Sequence, residues 1–278
     1  MWALPNCIQE AQVHVTGWFD SHCHLDLDPL AAGASGYWQQ ARAAGVMRVL
    51  IPSVAPDHWR ATQALAQQLP GARYALGIHP WWLDGLEGPP ERWAAPLAEA
   101  LSDGAVALGE CGLDGARAMP LSQQLPWLEM QLAVAEQRKL PVVLHAHKAH
   151  NELIRALNGY PGVRGLVHGF SGSRAQADDF LSRGFLLGIG GVVTYERARK
   201  TRATVKTLPA GSFLLETDAP SMPLAGFQGE PNKPAQLVRV ADCVAQLRGE
   251  SLAALHAAVI AAEVSLFGSH QAGAQVPA

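Results

Sequence analysis

Two histidines near the start of the chain, His22 and His24, are separated by one residue and flanked by Asp20 and Asp26. Alternate side chains of a β-strand share a face, so both imidazoles would point the same way. Two imidazoles on one face at the end of a strand can share a metal ion. The alternative is a pair of buried histidines satisfied by their neighbours. The rest of the chain favours the metal interpretation.

Further metal-ligand residues stand at the ends of five other predicted strands. If these strands form a barrel, their carboxyl ends converge on one mouth, which is where active sites of that fold lie. Chance placement does not explain so many histidines and carboxylates at strand ends. The residues in question are His79, Glu110, Asp114, His145, His147, His168, Glu216 and Asp218.

Six of these side chains form a mixed nitrogen and oxygen donor set: His22, His24, Glu110, His145, His168 and Asp218. The set is too large for one tetrahedral zinc ion that keeps an open position. It suits two divalent ions bridged by a carboxylate, and Glu110, from a middle strand, is the natural bridge. The donors suit Zn²⁺, Mn²⁺ or a similar ion such as Mg²⁺. Asp218 is placed to act as a general base towards water, so we expect Asp218 and Glu110 to be catalytic.

The elements that position these residues are apolar strands alternating with helices. Most of the strands lack an alternating pattern, as expected for parallel strands buried on both faces. A doubly wound open sheet would give the same alternation, but eight strands favour a single (β/α)8 barrel. We predict strands at residues 18–24, 46–53, 73–79, 105–110, 141–145, 163–168, 185–189 and 212–218.

The overall composition limits the classes of protein to which this chain can belong. The chain has 278 residues, 49% of them hydrophobic and 16% charged, with a formal net charge of −3. It therefore belongs among soluble globular proteins and has no overall positive field that would attract nucleic acid. A polyanionic substrate would have to be held by local groups or by a metal.

The ends of the chain and its cysteines suggest where the protein works. The four cysteines form no C-x-x-C pair and fit reduced thiols better than a disulfide framework. No signal peptide or membrane-spanning run is apparent, so we expect a cytoplasmic protein that does not enter a membrane. We predict an N-terminal extension at 1–14, a barrel domain at 15–268 and a flexible tail at 269–278.

Six short motifs carry a resemblance to a known family. They read F-D-S-H-C-H-L-D, G-I-H-P, G-E-C-G-L-D, P-V-V-L-H-A-H, V-H-G-F-S-G and L-L-E-T-D-A-P, and they span about residues 17–250. In order and spacing this set resembles the TatD family of metal-dependent deoxyribonucleases. The resemblance implies a TIM barrel of the amidohydrolase-like superfamily that hydrolyses DNA as an exonuclease, with single strands or ends as substrate.

The same resemblance assigns roles to individual residues. It implies that the six donors named above bind the metals and that His79 lies beside them, near the substrate phosphate. Members of the family usually carry H-x-R after strand five, whereas this chain has His145-Ala146-His147. If that position binds phosphate, His147 is a weaker and pH-dependent substitute for arginine.

Two further groups could contact the substrate. Basic residues cluster after the seventh predicted strand, where this fold often binds phosphate, and we expect Arg202 to reach the substrate while the others form a solvated helix face. Trp81 and Trp82 follow His79 directly. They could stack on exposed bases or simply pack within the loop.

Two other functions remain open at this point. A metal-dependent amidohydrolase or esterase, acting on a small or tRNA-linked substrate, would use similar ligands. Such enzymes often bridge their metals with a carboxylated lysine, and no lysine lies at a strand end that could replace Glu110. A non-catalytic metal or nucleic-acid binding protein is the third possibility, although a pure binder would not need Asp218 as a base.

Overall fold

Eight parallel strands lie side by side in chain order, in a computed structural model that describes residues 17–268. The seam between the last strand and the first is bridged where the Ser21 amide donates to the Leu215 carbonyl at 3.0 Å. The sheet is therefore a nearly closed barrel, and the predicted (β/α)8 fold is confirmed. The strands are β1 (Trp18–Asp20), β2 (Val46–Pro52), β3 (Ala72–Leu76), β4 (Ala107–Asp114), β5 (Val142–His147), β6 (Gly165–Val167), β7 (Phe185–Ile189) and β8 (Phe213–Leu215).

Helices follow the strands and cover the outside of the barrel. Covered on both faces, the strands are almost entirely buried, as parallel sheets are; all eight residues of β4 are buried. The helices are α1 (Ala34–Ala43), α2 (Trp59–Gln68), α3 (Ala94–Ala100), α4 (Leu121–Arg138), α5 (His150–Leu157), α6 (Arg174–Ser182), α7 (Arg199–Thr207), α8 (Leu237–Arg248) and α9 (Leu252–Phe267).

Helix α9 packs at the end of the barrel where the strands begin. Its His256 Nε2 lies 3.0 Å from the carbonyl oxygen of Gly17, immediately before β1. The guanidinium of Arg73, near the start of β3, donates to the carbonyl of Phe267. This end of the barrel lies opposite the strand ends that carry the metal-ligand residues.

Membrane-spanning potential is confined to one composite segment among the described residues. No single helix there has the length and apolar composition needed to cross a membrane. The segments Pro234–Arg248 and Leu252–Phe267, bent by 111° at their junction, meet those two criteria only when taken together.

The first turns of the helices differ from one helix to the next. Ser173 and Gln176 form a capping box at the start of α6, and the Ser251 side chain accepts from the Ala254 amide at the start of α9. Short 3-10 turns, Pro90–Trp93 and Pro234–Gln236, lead into α3 and α8. Proline fits the first turn of either helix type, so the sequence alone does not separate them.

The predicted terminal segments fall on residues that the structure does not describe. The extension at 1–14 and the tail at 269–278 lie outside the described range, as do residues 15 and 16 of the predicted domain. Both assignments stay predictions.

Candidate metal centre

The first group of candidate metal-donor side chains lies where β1 and β8 meet at the seam of the barrel. His22 and His24 follow β1, and their Nε2 atoms lie 3.1 Å apart. Asp218 follows β8 and places Oδ1 3.6 Å from each of these nitrogens. The predicted strand over residues 18–24 is observed only to Asp20, but the irregular segment after it still brings both imidazoles together. The predicted pairing of His22 and His24 is therefore present.

The second donor group comes from the middle strands. His145 lies on β5 and His168 directly after β6. The Oε1 atom of Glu110, on β4, is 3.2 Å from His145 Nδ1 and 2.7 Å from His168 Nε2. His79, after β3, brings Nε2 to 3.3 Å from the same oxygen. Four strands therefore direct polar atoms at one point.

Glu110 connects the two groups through its two oxygens. While Oε1 faces the second group, Oε2 lies 3.2 Å from His22 Nε2 and 3.3 Å from His24 Nε2. Burial opposes ionisation of this carboxyl, but the surrounding imidazoles outweigh that cost and hold its pKa well below its usual range. Glu110 is therefore a buried carboxylate with one oxygen on each donor group.

The outer nitrogens of two histidines fix which ring atom is free to bind a metal. His24 Nδ1 lies 3.1 Å from the Pro52 carbonyl, and His145 Nε2 lies 3.2 Å from Asp114 Oδ2. Both partners only accept, so these nitrogens carry the proton. When these rings are neutral, the lone pairs of His24 Nε2 and His145 Nδ1 point towards Glu110. An imidazole that donates its second nitrogen to a carbonyl or carboxylate is the usual form of a metal-ligating histidine.

His79 has the opposite arrangement. Its Nδ1 accepts a hydrogen bond from the Trp81 amide at 3.1 Å. In the neutral ring the proton must then be on Nε2, the atom that faces Glu110. Burial lowers the pKa of His79 to about 4, which keeps the ring neutral near pH 7. His79 is therefore suited to donate to an oxygen in the mouth, rather than to serve as a metal ligand.

Apart from His79, the donor side chains have the spacing and the charge that suit divalent cations. Edges of a tetrahedron around zinc are about 3.3 Å long when the bonds are about 2.0–2.1 Å, and the contacts to Oε2 of Glu110 have that length. Burial opposes the charged forms of His24 and His168, but the carboxylates raise their pKa values to about 9 and about 10. The cluster thus attracts positive charge, and cations bound here would displace protons.

Asp114 supports the second group, and its role was not foreseen from the sequence. Besides His145, its Oδ2 accepts from the Trp81 indole at 2.6 Å. Gln124 of α4 holds the backbone of Asp114 in place, accepting from its amide at 2.8 Å and donating to its carbonyl at 2.9 Å. The available sequence signal was a glutamine, Gln124, on the face of α4 that otherwise carries mainly apolar residues and one further glutamine, Gln131.

Asp20 supports the first group across the seam. Its Oδ1 accepts from the amides of Thr217 and His22, at 2.9 and 3.3 Å. Its Oδ2 accepts from the Thr217 hydroxyl at 2.6 Å. The Asp218 amide in turn donates to the His22 carbonyl at 2.8 Å. These bonds fix the ends of β1 and β8 in the register that brings His22 and Asp218 together.

Glu216 lies directly behind His168. Its Oε1 accepts from the Gly169 amide at 2.5 Å and lies 4.0 Å from His168 Nδ1, while Oε2 is buried without a partner. Burial raises the pKa of Glu216 to about 8. A Cβ atom at position 188 would lie 2.0 Å from Oε2, so Gly188 makes the room that Glu216 occupies.

The donor groups form the floor of an open cavity of about 560 Å³. We use floor for the side chains around Glu110: His22, His24, His79, Glu110, His145, His168 and Asp218. We use rim for the side chains around the opening: Trp81, Arg117, His147 and Met222. Both floor and rim residues contribute to the cavity wall, which is large enough for a nucleotide-sized ligand.

The two predicted substrate contacts from the basic positions have different outcomes. His147 is exposed and lines the cavity, beyond His145 on β5. Arg202 does not line it: its guanidinium donates to the Val193 carbonyl and contacts Cys243 Sγ at 3.7 Å. The structure thus places Arg202 away from the mouth, where its side chain ties α7 to the turn after β7.

A family profile and two sequence relatives match most of this chain. The family profile described as TatD related DNase matches residues 19–268. YjjV of Escherichia coli, described as a metal-dependent hydrolase, is 40% identical over 233 residues, which cover 83% of this chain and 90% of YjjV. A Klebsiella pneumoniae protein named 3'-5' ssDNA/RNA exonuclease TatD is 34% identical over 245 residues, covering 82% and 89% of the two chains.

A solved structure agrees with these matches. The crystal structure of Escherichia coli YjjV superimposes with a TM-score of 0.86 at 37% identity, covering 91% of this chain and 98% of that one. The profile spans almost all of the described residues, and the relatives exceed 30% identity over most of their length. The chain belongs to the TatD family of metal-dependent hydrolases.

Proposed function

We propose that this protein hydrolyses phosphodiester bonds at the ends of single-stranded DNA, and that two divalent ions bridged by Glu110 assist it. The observation that carries the proposal is the carboxylate of Glu110, which presents one oxygen to His22 and His24 and the other to His145 and His168. A bridged pair of cations is an arrangement suited to phosphoester cleavage. The printed name of the Klebsiella relative, an exonuclease on ssDNA and RNA, supports the substrate class.

The protein residues would divide the work as follows. Six side chains would hold the ions: His22, His24, Glu110, His145, His168 and Asp218. The ions would supply Lewis acidity that activates water and neutralises charge on the phosphate oxygens. Asp218 has 15% of its side chain exposed against 3% for Glu110, so it can meet water in the cavity. It takes the proton of the attacking water.

His79 would act on the substrate directly. Because its Nδ1 is occupied by the Trp81 amide, Nε2 carries a proton that it can donate to a phosphate oxygen. A neutral donor orients a phosphate without adding charge to a floor that already attracts cations. This role keeps His79 beside the metals, as the family resemblance implies, and outside the ligand set.

The test is a hydrolysis assay on metal-stripped protein reloaded with Mn²⁺, Zn²⁺ or Mg²⁺. Substrates are a 5'-labelled single-stranded DNA, the matching RNA, the DNA duplex and a simple phosphodiester dye ester. We expect stepwise shortening of the single strand from its 3' end with metal and none with chelator. The Asp218→Asn variant, purified in parallel, controls for contaminating nucleases.

Other outcomes would redirect the assignment. Hydrolysis of amide or carboxylic ester substrates without phosphodiester cleavage would favour the amidohydrolase or esterase. Metal binding with no hydrolysis of any substrate would favour a non-catalytic binding protein. Either result would contradict the proposal.

A further inference from the structure

An exposed indole stands on the rim of the mouth, in the turn that follows β3. Trp81 exposes 52% of its surface, the largest value among the exposed large hydrophobic residues of the described chain. Its ring lies nearly parallel to that of Trp82, at 18° with centroids 6.4 Å apart. Trp81 lines the same cavity as Glu110 and His145, so its exposed ring is accessible to a molecule bound in the mouth.

The Trp81 ring is held in place although it is exposed. Its indole nitrogen donates to Asp114 at 2.6 Å, and its backbone amide donates to His79 at 3.1 Å. A ring fixed in this way loses little conformational freedom when a ligand packs against it. The structure therefore presents a preorganised aromatic surface instead of a mobile side chain.

The ring is also close to the floor of the mouth. Asp114 connects it to His145 at 3.2 Å, and His145 connects to Glu110 at 3.2 Å. Trp81 and Glu110 line the same cavity. In a nucleic acid the base is separated from its phosphate by a single sugar, so a phosphate on the floor would carry its base towards the rim.

The guanidinium of Arg117 lies beside the Trp81 ring. The guanidinium carbon of Arg117 lies 5.7 Å from the centroid of Trp81, within the range of a cation–π contact. The same guanidinium is 3.8 Å from Asp84 Oδ2, which holds the arginine on the rim. Since the whole chain carries a formal net charge of −3, local cations such as this one are what can attract a polyanion to the mouth.

We propose that Trp81, backed by Arg117, is the stacking platform for the terminal unpaired base of the bound strand. This inference rests on the proposed function. Stacking on an aromatic ring is tolerant of base identity, because every base has a π-face. It requires an unstacked base, so the platform would favour single-stranded ends over duplex ends.

A different role for Trp81 has to be separated from stacking. Through its indole nitrogen it also holds Asp114, and thereby His145, so losing Trp81 could disturb the floor. Trp81→Phe removes this hydrogen bond and keeps an aromatic face, whereas Trp81→Ala removes both. Leu252→Ala, an exposed apolar position on α9 at the opposite end of the barrel, is the matched control.

The experiment measures kcat/KM for the four proteins on two single-stranded DNAs that differ only in whether the terminal nucleotide carries a base. For Trp81→Ala we expect a loss of about tenfold to a hundredfold on the intact strand, the size expected for one stacked base. The loss should be about tenfold smaller on the abasic strand, because no base is there to stack. Trp81→Phe should retain most of the activity on both.

Equal losses on both strands, or equal losses in Trp81→Phe and Trp81→Ala, would overturn the platform and assign Trp81 to the positioning of Asp114. A binding titration in chelator, following quenching of tryptophan fluorescence by the intact strand, separates the two proposals. Quenching that disappears in Trp81→Phe, combined with no cleavage by the wild type in the separate metal-loaded assay, would support the platform and refute the nuclease. Cleavage by wild type and Trp81→Ala at equal rates would do the reverse.

Discussion

At the floor of the mouth Glu110 is 2% exposed and His22 is fully buried, whereas on the rim Trp81 is 52% exposed. The floor is connected by contacts of 2.7–3.6 Å between side chains that lie on or directly after six of the strands. The rim is supported from below, through Asp114 and His79, but faces solvent. Under the proposed function, this contrast assigns metal binding and chemistry to the floor and contact with the substrate to the rim. Changes to the floor should therefore alter metal binding and turnover, and changes to the rim should alter substrate affinity.

The largest effect is expected at the most exposed carboxylate of the floor. Asp218→Asn removes a ligand charge and the general base, so turnover should fall by about 10²–10⁴-fold. The fold should persist, because the Asp218 amide that bonds to the His22 carbonyl is unchanged. Single-turnover kinetics and a thermal melt of both proteins check this. Turnover within about tenfold of the wild type would mean that another base exists.

A smaller effect is expected where the floor and the rim join. Asp114→Asn leaves the side chain in place but weakens its contacts to His145 and the Trp81 indole. Metal affinity of the second donor group should fall by about 10–100-fold, the usual cost of losing a partner of a ligating histidine. The first group, on His22 and His24, should keep its affinity. Calorimetric titration with Mn²⁺ measures both, with exposed Asp57→Asn as control.

On the rim, His147→Arg should improve binding without touching the metals. Arginine can make a bidentate, charge-assisted contact to phosphate, so affinity for single-stranded DNA should rise by about 1 kcal/mol. Metal content should be the same as in the wild type. If the two proteins bind DNA equally, His147 lies outside the path of the substrate.

The smallest effect concerns salt. Few cations line the mouth, so few phosphates should be neutralised by side chains. The slope of log affinity against log salt should be about −2 to −4. Fluorescence anisotropy of a labelled single strand at several salt concentrations measures it. A slope near −10, as for a repressor, would reveal a basic surface outside the mouth.

The residues of the floor could be predicted from the sequence more completely than the contacts of the rim. The eight apolar strands predict the barrel, and strand ends that converge bring His22, Glu110 and His168 together without any knowledge of loop structure. What the pattern cannot give is which nitrogen of an imidazole faces inward. For His79 that is decided by the Trp81 amide, a contact made by the turn after β3.

Loop and helix contacts decide the remaining positions. Arg202 was expected at the mouth, but a long side chain on a helix can reach in several directions. Here its guanidinium donates a hydrogen bond to the Val193 carbonyl. Asp114 was visible at the end of β4, yet its pairing with His145 depends on the register of β4 against β5. Such contacts join residues far apart in the chain and leave no periodic signal.

The central claim is that Glu110 bridges two metal ions, and anomalous diffraction from crystals loaded with Mn²⁺ tests it most directly. The account predicts two anomalous peaks about 3.5–4 Å apart, one beside His22 and His24 and one beside His145 and His168. In Glu110→Ala crystals the bound metal should fall below the wild-type content. A single peak in the wild type, or unchanged metal in Glu110→Ala, would contradict the account.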